Sequence, residues 1–456
     1  MKKLLKLILI LHLSFINLIN AQSDSIIHFS DLKYHSDFEK QAMLNFIEDS
    51  SNAIDLFLAI DENMSNEKAN LKKEIYFSIY SDLAQKKIES KKINKKIKLS
   101  YSNVHKRFLK KYNDNKYFPT IFQNGTYNCV SASILYALVF DKLKIPYKVK
   151  ASSNHVYLVA NPGSNSIVIE TTNPNFEKAI FNGEFKQNYV NYLRTSKLIS
   201  ESEYKDKSTE EIFEEKFKEV KDAKYINLPG FQYYNKALSK LQNNNIEEAL
   251  ILSQKAYYFY PDNQVKTLLY TALLFQIEKC NFDKVSDIDY LAQLSRFENS
   301  DLNTINGIFN NIVNNKLQYT DMEQFCDSLC QRLTSQISDR KVIDEINFSY
   351  NMQMSYRYQN SDKVEKYITK ALEIKDNFVD ANKIMENYLF RKFNSIHEPY
   401  ALLDSINNLE IKYEFKNITP LFKEYKLIAS KIQLVSATVF LSKIKNLDFL
   451  SLKGKA

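Results

Sequence analysis

Apolar positions recur at helical spacing over most of the 456-residue chain, and one stretch breaks that rhythm. Residues 23–118 read as helical. Ser36-Asp37-Phe38-Glu39 has the form of a capping box, in which the Ser accepts from the third amide and the Glu reaches back to the cap. Met43, Phe46 and Ile47 follow at helical spacing. Between 119 and 183 the texture changes. Pro119, Pro146, Pro162, Pro174, Gly125, Gly163 and Gly183 fall here, half of the Gly and Pro in the protein, and such punctuation means short elements with tight turns. The pattern predicts a helix from about Cys129 to Leu143, with Val130, Ile134, Leu135, Leu138 and Val139 on one stripe. Three strands follow, Tyr147–Ala151, His155–Ala160 and Ser166–Thr172, so this segment is an α+β core. From about Leu228 the pattern is helical to the end and repeats. Phe231–Asn243 and Ile246–Phe259 form one helix pair, Phe348–Tyr358 and Asp362–Ile374 a second.

Composition narrows the class. Hydrophobic residues are 44% and charged residues 25%, with 6 Gly, 8 Pro, 4 Cys and no Trp. This excludes a disordered chain, a collagen-like chain and a small disulfide-stapled scaffold. The net charge of +8 falls by three if Lys2, Lys3 and Lys6 are removed with a leader, too little to imply a nucleic-acid partner. Only seven of the 62 basic residues are Arg, which disfavours bidentate phosphate recognition. The run Lys86, Lys87, Lys91, Lys92, Lys95, Lys96 and Lys98 reads as a solvated helix face. Met1–Lys6 is a positive n-region, Leu7–Ile19 an apolar run, and Ala21 a small residue for cleavage. Residues 1–21 therefore read as a signal peptide, and the mature protein is expected to be exported: periplasmic, envelope-associated or secreted. No later run reaches the roughly 18 apolar residues of a membrane span.

The chemistry converges on the α+β segment. Cys129 opens its helix, where free amide groups and a partial positive charge favour thiolate. Of the non-signal histidines, His28, His35, His105, His155 and His397, only His155 falls on a strand beside that helix. Glu170 lies on the next strand. If the turn centres on Pro162-Gly163, His155 and Glu170 are directly opposed, with Cβ atoms about 5 Å apart. Cys129 is then the nucleophile, His155 the proton carrier and Glu170 the residue that orients the ring. There is no zinc-like Cys/His spacing and no Gly-rich phosphate loop, so neither a metal nor a nucleotide cofactor is expected. Cys280, Cys326 and Cys330 could supply one disulfide in an oxidising compartment, although Cys326 and Cys330 lie four apart on a helix and are poorly disposed to pair with each other.

Asn128-Cys129-Val130-Ser131-Ala132-Ser133 opening a helix, Asn154-His155-Val156 opening a strand, and Ile169-Glu170-Thr171-Thr172-Asn173-Pro174 closing the next resemble the transglutaminase-like superfamily, which shares its core with papain-type cysteine proteases. The resemblance covers about 100–185. It implies an α+β papain-like fold and a Cys129–His155–Glu170 triad, with Glu where the family more often has Asp. It also implies an oxyanion role for Gln123, six residues before Cys129, with Tyr127 as a rival donor. Tyr233, Ala237, Ala249, Ala256 and Pro261 resemble tetratricopeptide repeats, with Lys236 departing from the usual apolar residue. Ala371 and Asp376 stand in the second pair where the first has Ala256 and Pro261.

The expected organisation is a signal peptide (1–21), a helical N-terminal segment (22–99), a transglutaminase-like domain (100–225) and an all-α tetratricopeptide-like region (226–456). The expected function is acyl transfer or hydrolysis on a protein or peptide amide, with the repeats docking a protein partner. The alternative is a non-catalytic adaptor that uses the cleft and repeats to bind a peptide or protein.

Overall fold

The computed structural model describes residues 26–50, 53–152, 155–163, 166–171, 199–218, 220–297, 301–318, 322–396 and 399–412, with short pieces between 187 and 194 and between 423 and 431. The expected leader, Asn154, Thr172–Pro174, Gly183 and His397 lie outside the described residues. The chain divides into two compact units, Met1–Lys279 and Cys280–Ala456. The first carries an α+β region and helices; the described part of the second is helical. Among the described residues, no helix is long and apolar enough to cross a membrane.

The first unit opens with α1 (Asp37–Glu48), α2 (Ile54–Leu58), α3 (Asn66–Gln85) and α4 (Ile93–Phe108). Half of the predicted capping box forms. Ser36 Oγ accepts from the Glu39 amide at 3.2 Å. The Glu39 carboxylate instead accepts from the His35 amide at 2.8 Å, the Tyr233 hydroxyl at 2.9 Å and Lys255 Nζ at 2.7 Å. Glu39 is 1% exposed, and a buried carboxylate must gather donors, which overrides the local box. Along the basic run, Ile88 and Ile97 are buried while Lys86, Lys87, Lys91, Lys92 and Lys95 are exposed.

The predicted helical stretch does not continue unbroken to 118. β1 (Lys111–Tyr112) pairs in parallel with β2 (Thr126–Tyr127), with α5 (Phe118–Asn124) between them. Two-residue strands carry too few alternating positions to register as a pattern. Gly125 ends α5 at φ 75°, a left-handed turn that only glycine adopts without cost.

Helix α6 (Cys129–Lys142) matches its predicted bounds to one residue, yet it has no apolar stripe. Every residue from Cys129 through Phe140 is buried, with α4, α5 and β4 packed around the helix. β3 (Tyr147–Ala151), β4 (Val156–Ala160) and β5 (Ile167–Ile169) form an antiparallel sheet. Its register departs from expectation: Leu158 faces Ile169 and Ala160 faces Ile167, so the turn centres one residue beyond Pro162-Gly163. Asn161 leaves β4 in a left-handed conformation (φ 49°), and Ser166 Oγ donates to the Gly163 carbonyl at 2.6 Å, which lengthens the loop. α7 (Glu201–Asp206) and α8 (Thr209–Lys218) cover the sheet, Ile212 and Phe213 packing with Tyr157, Val159 and Val168. An unanticipated strand, β6 (Lys221–Ala223), pairs antiparallel with β3 and gives the order β5-β4-β3-β6.

α9 (Leu228–Gln242), α10 (Ile246–Phe259) and α11 (Asn263–Lys279) complete the unit. Ala249 and Ala256 are fully buried where α10 packs against its neighbours. The expected domain boundary is at 225/226, and the compact units part at 279/280. Gln232 shows why: its Nε2 donates to the Phe57 carbonyl at 3.1 Å and its Oε1 accepts from the Phe118 amide at 3.0 Å. Lys236, out of place in an apolar repeat position, donates to the Ile60 carbonyl at 2.7 Å and pairs with Glu62 at 2.6 Å.

The second unit contains α12 (Asp289–Leu294), α13 (Leu302–Leu317), α14 (Glu323–Ser335), α15 (Arg340–Tyr358), α16 (Val364–Ile374), α17 (Val379–Asn394) and α18 (Pro399–Lys412). The second predicted pair is α15 and α16, with Ala371 fully buried in a core of Phe348, Met352, Ile368 and Met385. All four cysteines are free thiols. Cys326 and Cys330 are buried one turn apart on α14, and burial pushes their thiols up to about 11 and about 12.

Candidate active site

Cys129 is the first residue of α6, and its placement is over-determined. Asn128 Oδ1 accepts from the Ser131 amide at 2.8 Å, and Ser131 Oγ accepts from the Asn128 amide at 2.9 Å. Both ends of this cap are satisfied, so the helix starts at one residue only. Asn128 Nδ2 donates to the Asp114 carbonyl at 3.1 Å, and the Asn113 amide to the Tyr127 carbonyl at 2.8 Å, fastening the 113–115 loop beside the cysteine. Cys129 is 7% exposed and stands at the first position of the helix, where the positive end of the helix dipole lies.

His155 immediately precedes β4 and is 2% exposed. Ser133 Oγ, one turn into α6, donates to the Val156 carbonyl at 3.0 Å and pins the strand's start to the helix that carries Cys129. Cys129 and His155 line the same cleft, and the imidazole Nε2 lies 3.0 Å from Glu170 Oε2. Burial opposes a charge on this ring, but the Glu170 carboxylate and the contact with Cys129 outweigh it and hold the pKa at about 10.

The register makes the pair diagonal. Continuing the β4–β5 ladder by one residue sets Glu170 opposite Tyr157, two residues from His155. Diagonal neighbours are about 7–8 Å apart at the backbone, a gap that Glu spans better than Asp. Tyr101, buried on α4, donates its hydroxyl to the Glu170 carbonyl at 3.2 Å and fixes this residue just past the end of β5. Sequence reasoning missed Tyr101, since an aromatic residue at helical spacing reads as core.

Gln123 does not join the triad. It is exposed on α5 and lines a separate cavity of about 280 Å³ with Asp61, Glu62 and Tyr117. Tyr127 is buried edge-on against Tyr112 and His105 and does not line the cleft. The backbone amide of Cys129, at the start of the helix, is left as the oxyanion donor available beside the thiol.

The cleft holding Cys129 and His155 has a volume of about 770 Å³. One wall comes from Tyr112, Asp114 and Asn128, the other from Phe231, Tyr234, Leu238 and Tyr260. Among the described residues, one group brings metal-ligand atoms together: His35, Glu62 and Glu248 offer one atom each within 4.8 Å of one another. It lies outside the cleft. Lys236 and Lys240 reach Glu62 at 2.6 and 3.4 Å, and Lys240 reaches Glu248 at 3.8 Å. Two lysines thus already balance the two carboxylates, and a divalent ion would leave excess positive charge, so this donor set does not fit a metal. No protein-family model matches the chain, and neither a curated protein nor a solved structure matches it.

Proposed function

We propose that this protein is an exported, transglutaminase-like cysteine enzyme that transfers or hydrolyses an acyl group from a protein or peptide amide. One observation carries the reading: a buried imidazole 3.0 Å from a carboxylate, lining the same cleft of about 770 Å³ as a helix-N-terminal thiol. Cys129 passes its thiol proton to His155 and its sulfur attacks the amide carbonyl, while its amide N–H receives the oxyanion. His155 gives its proton to the departing nitrogen, releasing ammonia or an amine and leaving a Cys129 thioester. Water or an amine then attacks the thioester, His155 takes the proton, and the acid or new amide leaves with the thiol restored. Glu170 orients the ring and stabilises its charged form throughout. The tetratricopeptide-like helix pairs, in this reading, dock a protein partner.

The test is alkylation of the full chain by iodoacetamide from pH 5 to 9, together with ammonia release from a library of Gln-containing peptides. Cys129 should react well below pH 8, and Cys129→Ala should abolish ammonia release. Ordinary thiol reactivity together with undiminished release in Cys129→Ala would overturn the proposal.

A further inference from the structure

Helix α9 presents two different faces. Gln232, Tyr233 and Lys236 are bound to the N-terminal segment. Phe231, Tyr234 and Leu238, at helical spacing on the opposite side, line the cleft that holds Cys129. Tyr260, at the end of α10, extends this surface: its ring centroid lies 4.4 Å from that of Phe231. Gly230 permits the approach, since a Cβ there would sit 2.6 Å from the Tyr260 Cβ and 3.0 Å from the Ala256 carbonyl oxygen. Gln264 on α11 lines the same cleft as Tyr234.

Charge in the cleft is nearly spent. Lys221 on β6 pairs with Asp262 at 2.9 Å, beside the turn into α11, and ties the sheet edge to the helical wall. Asp114, on the loop fastened to Asn128, leaves an acidic group at the opposite wall.

We infer that the first helix pair is the specificity wall of the active site, and that it selects amide substrates with an aromatic or large apolar residue beside the scissile bond, rejecting acidic ones. Phe231, Tyr234, Leu238 and Tyr260 supply the apolar contact, and Asp114 repels a carboxylate. This rests on the catalytic reading of Cys129. Discrimination of this kind is worth at least about tenfold in rate.

The experiment uses the full chain and two thiol-directed probes, iodoacetyl-phenylalanine amide and iodoacetyl-glutamate amide, each normalised to plain iodoacetamide. Modification of Cys129 is followed by mass spectrometry. The phenylalanine probe should label at least about tenfold faster than the glutamate probe. Tyr234→Ala should cut that ratio at least about threefold, Leu238→Ala should lower it independently, and Tyr234→Phe should preserve it. Melting temperature identifies any variant that fails to fold. Equal labelling by the two probes, or an unchanged ratio in a folded Tyr234→Ala or Leu238→Ala protein, overturns the inference. Failure of the catalytic reading looks different: plain iodoacetamide then modifies Cys129 no faster than an ordinary thiol.

Discussion

Replacing Glu170 by Gln removes a charge from the His155 pair while keeping the side-chain length. In the native protein the ring's pKa rises from 6.5 to about 10, although burial alone would lower it. With the carboxylate gone, burial dominates and the ring should titrate below 6.5. A group whose folded pKa exceeds its unfolded value stabilises the fold fully below the unfolded value and loses that stabilisation as pH rises through the folded value. The window is therefore pH 6.5 to about 10. At about 1.36 kcal/mol per unit, the ring's surroundings, Glu170 foremost and Cys129 with it, net of burial, contribute about 5 kcal/mol at pH 6 and almost nothing above pH 10. Breaking a buried pair by removing one partner costs ~3–5 kcal/mol, which agrees. Glu170→Gln should then lose ~3–5 kcal/mol at pH 6 and little at pH 10.5, read by denaturant unfolding of the unit that carries the site. In parallel, ¹³C-labelled histidine followed by NMR should show His155 charged through pH 8 in the native protein and neutral at pH 7 in the variant. Native His155 titrating near 6.5, or an equal loss of stability at both pH values, would refute the reasoning.

Other substitutions probe neighbouring steps. Glu170→Asp shortens the side chain across a diagonal pair, so ammonia release should fall at least about tenfold and the His155 pKa should drop, both measurable on the same samples. Iodoacetamide at pH 7 should label Cys129 before Cys326 and Cys330, whose thiols burial raises to about 11 and about 12, and peptide mapping after timed quenching gives the order. Gln123→Ala, at an exposed position outside the cleft, should leave ammonia release within about twofold of native, whereas a loss of the ~10²-fold expected of an oxyanion donor would restore Gln123 to the site. Lys255→Met strands the buried Glu39 charge and should cost ~3–5 kcal/mol, read as a fall in melting temperature.

Cys129, His155 and Glu170 were legible as a group because each carries a local signal. Asn128 and Ser131 mark a helix start at Cys129, an apolar run (Val156–Ala160) follows His155, and Ile169-Glu170 closes a strand. Register was less legible, because it depends on how many residues the 161–166 loop consumes, and Asn161 in a left-handed conformation adds to that number. The error cost little, since moving from opposed to diagonal keeps both residues on one face of the sheet. Helix α6 was misjudged as amphipathic because a helix enclosed on all sides still contains Ser131 and Ser133, which bond locally and to Val156. Contacts of long sequence separation left no trace at all. Nothing in the text of the chain says that Tyr101 reaches Glu170, that β6 joins β3, or that Lys236 reaches Ile60.

Those long-range contacts bear on why helices of a repeat pattern belong to the same unit as the cleft. On one side of α9 the Glu39 carboxylate takes donors from His35, Tyr233 and Lys255, and Lys255 lies 5.6 Å from the Tyr233 ring. Such a pair is a weak source of stability, since apolar residues of equal volume often serve as well. Its donors, however, come from the chain entering α1, from α9 and from α10, and a single carboxylate satisfies all three only in one relative placement. An apolar replacement would fill the volume yet leave the Tyr233 hydroxyl and the His35 amide without their acceptor, and α9 would keep only its Gln232 and Lys236 anchors to the N-terminal segment. A shift of that helix moves Phe231, Tyr234 and Leu238 together, because they sit on the same rod one to two turns apart. The buried ion pair is thus one of the contacts, with Gln232 and Lys236, that hold the helix carrying the apolar wall of the cleft.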